Sequence, residues 1–163
     1  MNNVEYPSHE EIITMIKNYI DSSIYKYAIL LDGEWGCGKT YFVEKVLMDK
    51  LKEHIKIKNK YNHIVYTSLY GVSSIQDASS KLYLSLISGG DKNIIKKVTP
   101  LISGVLKGAN VNINVNDIGS SLSTFVNISN YIIFIDDLER CNCNISEIMG
   151  LLNNFVEHSE TKI

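Results

Sequence analysis

One stretch constrains this chain more than any other: Gly33-Glu34-Trp35-Gly36-Cys37-Gly38-Lys39-Thr40, two glycines separated by four residues and followed by Lys-Thr. A polyphosphate needs many hydrogen-bond donors at close range, and successive backbone amides turned inward supply them. Glycines let the backbone take turns that a side chain would obstruct. Lys39 is placed to reach the β- and γ-phosphates with a full charge, and the Thr40 hydroxyl is placed to ligate Mg²⁺. The context supports this reading over a structural glycine turn. Tyr27 to Asp32 is an apolar run of strand length, and Phe42, Val43, Val46, Leu47 and Leu51 then recur on one face of a helix. The order strand, glycine loop, helix opens an α/β unit. The predicted nucleotide contacts are Gly33, Glu34, Trp35, Gly36, Cys37, Gly38, Lys39, Thr40 and Tyr41.

The most apolar run of the chain, Tyr131 to Ile135, predicts a strand buried on both faces. It ends in Asp136-Asp137-Leu138-Glu139-Arg140. A carboxylate at the tip of a buried strand beside a phosphate loop is how such folds hold Mg²⁺, so Asp136 is the candidate metal ligand together with Thr40. Asp137 follows as candidate general base for the attacking water, and Lys39, whose charge reaches the phosphates, is the other candidate catalytic residue. Glu139 competes for the base role, and the acids could instead only cap the next helix. Arg140 reads as an ion-pair partner of these acids in preference to a phosphate sensor.

Elsewhere Ser8-His9-Glu10-Glu11 forms a capping box ahead of Ile12, Met15, Ile16, Tyr19 and Ile20, predicting a leading helix to about Ser23 within residues 1–25. Lys50 to Lys60 is rich in lysine and reads as a solvated helix end, with nucleic-acid contact the lesser alternative. His63 to Leu69 predicts a second strand, and Ser74 to Ile87 a helix with Ile75, Ala78, Leu82 and Leu86 on one side. Residues 91–128 read as an irregular or helical insertion, with a helix over Ile94 to Leu106 that Pro100 starts or kinks, and an extended Val111 to Val115. Ile145, Ile148, Met149, Leu152, Phe155 and Val156 predict one more amphipathic helix, and Lys162-Ile163 the start of a strand.

With 163 residues and a formal charge of −2, the chain is long enough for one domain and gives no global argument for nucleic acid or an anionic membrane surface. The longest apolar stretches are strand-length. Three cysteines without framework spacing read as reduced thiols in the cytoplasm. Cys37 could be oxidised or alkylated and block the loop, although a small residue that fits is the plainer reading. Cys141, Cys143 and His158 match no common zinc spacing. Trp35 either stacks on a base or braces the loop, and bracing is favoured.

Taken together, Gly33-Glu-Trp-Gly-Cys-Gly-Lys-Thr40, Thr67-Ser-Leu-Tyr-Gly71 and Ile135-Asp-Asp-Leu-Glu-Arg140 resemble the KAP family of P-loop NTPases, across most of residues 26–90 and 131–163. The resemblance implies an α/β fold: a three-layer P-loop NTPase core with a mainly parallel sheet, incomplete at its C-terminus because family domains continue into a further strand near Ile163. It implies ATP and Mg²⁺ as cofactors, with Lys39 and Thr40 as nucleotide and metal residues and Asp136 and Asp137 as the Walker B acids. Glu139 stands where Asp is more usual. Many members carry transmembrane helices between the two motifs, and residues 91–128 are too polar for that. This implies a soluble branch of the kind found in bacterial antiphage defence.

The leading expectation is an ATPase module, residues 1–163, that drives conformational change in a larger assembly of further domains or protein partners. Nothing in the sequence opposes an oligomer. The rival is a nucleotide-gated switch with negligible turnover. A degenerate scaffold without nucleotide is disfavoured by the intact Lys39, Thr40 and Asp136.

Overall fold

The computed structural model describes residues 6–58, 61, 63–89, 129, 131–159 and 161–163. Expectations for Ile94 to Leu106, Val111 to Val115 and the remainder of 91–128 lie outside these residues. Helix α1 (His9–Asp21) begins as its sequence predicts. The Ser8 hydroxyl accepts from the Glu11 amide at 3.3 Å, and the Ser8 amide donates to the Glu11 carboxylate at 2.8 Å. It ends at Ser22, one residue before the expected stop, where the backbone turns extended.

The glycine loop leads into helix α2 (Lys39–Phe42), a π-helical turn over Val43–Leu47, and helix α3 (Met48–Lys58). The π turn adjusts the register so that Phe42, Leu47, Leu51 and Ile55 are all buried. Lys56 and Lys58 lie in the last turn of α3, where cations complement the carbonyl end of the dipole.

Strand β1 (His63–Ser68) pairs in parallel with β2 (Tyr131–Asp136), in register from His63 opposite Tyr131 to Ser68 opposite Asp136. Helix α4 (Ile75–Gly89) follows β1, and helix α5 (Ile145–Ser159) follows β2. Side chains alternate across a strand, so β2 feeds two cores. Tyr131 and Ile133 pack with Val65, Leu69, α4 residues Ala78, Leu82 and Leu86, and α5 residues Ile148, Leu152 and Phe155. Ile132 packs on the other side with Ile16, Tyr19 and Ile20 of α1 and with Phe42, Leu47, Leu51 and Ile55. The expected burial of this strand on both faces is therefore realised by helices on both faces of a small parallel sheet. Met15, Ile145 and Met149, which the periodicity also assigned to apolar faces, are exposed because they sit at the edges of those faces.

One expectation is corrected. Tyr27 to Asp32 forms no strand: Ile29 donates its amide to the Ile163 carbonyl at 2.9 Å, but no ladder extends from that bond. Leu30 is 78% exposed. A strand is made by its neighbours, and the described neighbour here is short. Lys162 bridges in parallel to Ile132, with the Ile133 amide donating to the Lys162 carbonyl at 2.8 Å. Residues 161–163 thus lie between the segment entering the glycine loop and β2. Lys162 is only 4% exposed. Its ammonium donates to the Ser22 and Tyr25 carbonyls at 2.9 and 2.7 Å and sits over the Tyr19 ring, tying the end of α1 to the sheet. No described helix is long and apolar enough to cross a membrane.

Candidate functional site

The site forms where the loop after residue 32 meets the C-terminal ends of β1 and β2, the position at which open α/β sheets hold ligands. Gly36 (φ 82°) and Gly38 (φ 93°) occupy the left-handed region that disfavours side chains, and Gly38 is the N-cap of α2. Gly33 has a different constraint: a Cβ there would come within 3.1 Å of the Cys37 sulfur. The Lys39 ammonium folds back over the loop, donating to the Gly33 carbonyl at 2.6 Å and the Glu34 carbonyl at 3.1 Å. The cation therefore lies inside the turn, over the backbone whose amides would meet phosphate.

The acidic strand end reaches this loop directly. The Thr40 hydroxyl donates to Asp136 Oδ2 at 2.7 Å. The same oxygen accepts the Tyr66 phenol at 2.5 Å, while Asp136 Oδ1 accepts the amide of Asp137 at 2.8 Å. Burial pushes the Asp136 carboxyl up, but Tyr66, Thr40, the Asp137 amide and the Lys39 charge outweigh it and hold the group below the ordinary carboxylate range. It is thus an ionised carboxylate whose oxygens could accept a hard cation. Thr40 and Asp136 offer two hard oxygens, the donor type that suits Mg²⁺, which takes one or two protein oxygens and fills its octahedron with phosphate and water. Among the described residues, no three His, Cys, Asp or Glu side chains gather as an all-protein cage.

Asp137 sits at φ 56°, the one non-glycine residue described in the left-handed region. Its side chain makes no capping bond to the 3₁₀ turn Leu138–Arg140, so the helix-cap alternative does not describe it. Its carboxylate instead accepts the Ser68 hydroxyl at 2.7 Å and lies 3.6 Å from the Arg140 guanidinium. Arg140 accordingly pairs with an acid, as expected, and its guanidinium lies over the Tyr70 ring. Glu139 points to solvent.

Of the sequence candidates, Gly33, Lys39, Thr40, Asp136 and Asp137 converge. Trp35 is corrected: at 84% exposure it buries too little surface to brace the loop. Tyr41, in the first helical turn after the loop, is also exposed. Cys37 is exposed within the loop. Cys141 and Cys143 both direct their thiols at the Val72 carbonyl, away from the loop, at 3.6 and 3.8 Å. Sequence reasoning missed Tyr66 and Ser68. The signal was available: two hydroxyl residues at alternate positions of β1 must face one side, and that is the side on which Asp136 lies.

A family model described as KAP family P-loop domain matches residues 9–89, which hold α1, the glycine loop, β1 and α4. No curated protein and no solved structure matches the chain.

Proposed function

We propose, from the match of residues 9–89 to the KAP family P-loop domain, that the chain binds ATP with Mg²⁺ and hydrolyses it to drive conformational change in a larger assembly. The observation that carries this is the 2.7 Å bond between Thr40 and Asp136, which brings the end of the phosphate loop and the acidic strand to one point. In this reading the amides of Gly33 to Thr40 and the Lys39 ammonium hold the β- and γ-phosphates, and Thr40 and Asp136 hold Mg²⁺. When bound, the metal neutralises charge between the β- and γ-phosphates. Asp137 orients the attacking water and takes its proton. Glu34, Trp35, Cys37 and Tyr41 line the nucleotide side of the loop. The domain proposed is a three-layer core extending over residues 1–163, in a cytoplasmic protein with further domains or partners. A setting in antiphage defence rests on the family resemblance alone.

A second reading is favoured by the state of Asp137. Its carboxylate is engaged by Ser68 and Arg140, so it must leave at least one of them to serve a water. A domain that keeps this arrangement with nucleotide bound would act as a switch with negligible turnover.

Calorimetry of ATP, ADP and GTP with Mg²⁺, on the chain and on Lys39→Ala, tests the shared core of both readings. Binding by the parent and loss in the variant is the expected result, because the substitution removes the charge that faces phosphate. Equal affinity in both proteins would overturn the assignment of the loop. Phosphate release by the parent then separates the two readings.

A further inference from the structure

Strand β1 addresses the two acids separately. Tyr66 and Ser68 stand two residues apart, on one face of β1. Tyr66 reaches Asp136 at 2.5 Å, and Ser68 reaches Asp137 at 2.7 Å. Thr67, between them, faces the opposite side and accepts the Ser85 hydroxyl of α4 at 3.0 Å.

Three described hydrogen bonds hold the Asp136 carboxylate. Thr40 and Tyr66 both donate to Oδ2, and the Asp137 amide donates to Oδ1. A carboxylate oxygen has two acceptor sites. Coordination would use a lone pair of the Thr40 oxygen and leave its proton free to donate to Asp136. Tyr66 is thus the side chain that orients the carboxylate beside Thr40 and one backbone amide, without itself being a ligand.

We propose that Tyr66 is a positioning residue for the magnesium site: its phenol aims the Asp136 carboxylate at the metal, and it is needed only when the metal is present. The inference rests on the nucleotide-binding reading above. Residues that orient a metal ligand through a hydrogen bond typically carry about 10- to 100-fold of metal affinity.

The test measures ADP affinity with Mg²⁺ and in EDTA, for the parent, Tyr66→Phe and Ser85→Ala. Phe keeps the ring and deletes one oxygen. Ser85→Ala loosens the other face of β1 without touching the acids. The expected result is that Tyr66→Phe loses about tenfold or more of the affinity that Mg²⁺ adds in the parent, with its EDTA affinity unchanged. Ser85→Ala keeps the full magnesium gain. A Tyr66→Phe protein with the parent's magnesium gain overturns the proposal, and so does one weakened equally in EDTA, which marks general damage. A parent that binds nucleotide without any gain from Mg²⁺ overturns it too. A parent that binds no nucleotide under either condition overturns the loop reading itself, and this inference with it.

Discussion

Thr40 and Asp136, 96 residues apart in the chain, share a hydrogen bond of 2.7 Å. Thr40 lies in the first turn of the helix that begins at the loop, and Asp136 closes β2, so each is fixed by a secondary-structure terminus and not by a mobile side chain alone. If the two act on one ion, removing either disables the same event. Thr40→Val and Asp136→Asn should each lower Mg-nucleotide affinity by about tenfold or more. The double variant should fall well short of the product of the two losses, as expected for residues in one network. Full additivity in calorimetry would mean that they serve separate ligands.

Trp35 is the chain's single tryptophan and is 84% exposed inside the loop. A planar aromatic held in water beside a phosphate cradle is placed to meet a base. ATP should therefore change its emission saturably, and Lys39→Ala should abolish the change. Unaltered emission while calorimetry records binding would remove Trp35 from the nucleotide contacts.

The loop and both strands were legible because their constraints are local. A phosphate cradle needs glycines at fixed spacing, and β2 is apolar enough to be buried whatever its partners. Two features were not legible for the opposite reason. Whether Tyr27 to Asp32 forms a strand depends on the segment beside it, and the propensity of its own residues cannot supply that neighbour. The fate of Trp35 depends on which way the loop turns. Tyr66 lay between these cases: its face was set by alternation along β1, but its meeting with Asp136 required the parallel register of residues 63–68 against 131–136.

Asp21, at the end of α1, joins that helix to α3. Its carboxylate lies 2.9 Å from His54 Nε2 and 3.4 Å from the Lys58 ammonium. Burial pushes the Asp21 carboxyl up, but His54 and Lys58 outweigh it and hold the folded-state value below the unfolded 3.8. A group depressed on folding stabilises the native state above its unfolded value, and that contribution is lost as the pH falls through the folded value. Asp21→Asn should thus cost about 0.5 to 1 kcal/mol near pH 6, the range for a partly solvated pair. The difference should shrink in urea melts as the pH falls below 3.8 and through the lower folded value. A constant difference across that window would assign the effect to packing.

Asp137 decides between turnover and switching. Its left-handed backbone, the Ser68 hydroxyl and the Arg140 guanidinium fix a carboxylate next to the proposed metal ligand. Asn keeps its shape, tolerates the same backbone region and can still accept the Ser68 hydroxyl, but it cannot take a proton from water. Asp137→Asn should therefore bind ATP as the parent does while phosphate release falls by about 100-fold or more, the scale of a lost general base. The nucleotide recovered from the variant after incubation should be ATP, and from the parent ADP. A variant that hydrolyses as fast as the parent removes Asp137 from the base role and leaves Glu139 as the next acid to test. A parent that releases no phosphate while binding ATP tightly identifies the domain as a switch, with Asp137 held permanently by Ser68 and Arg140.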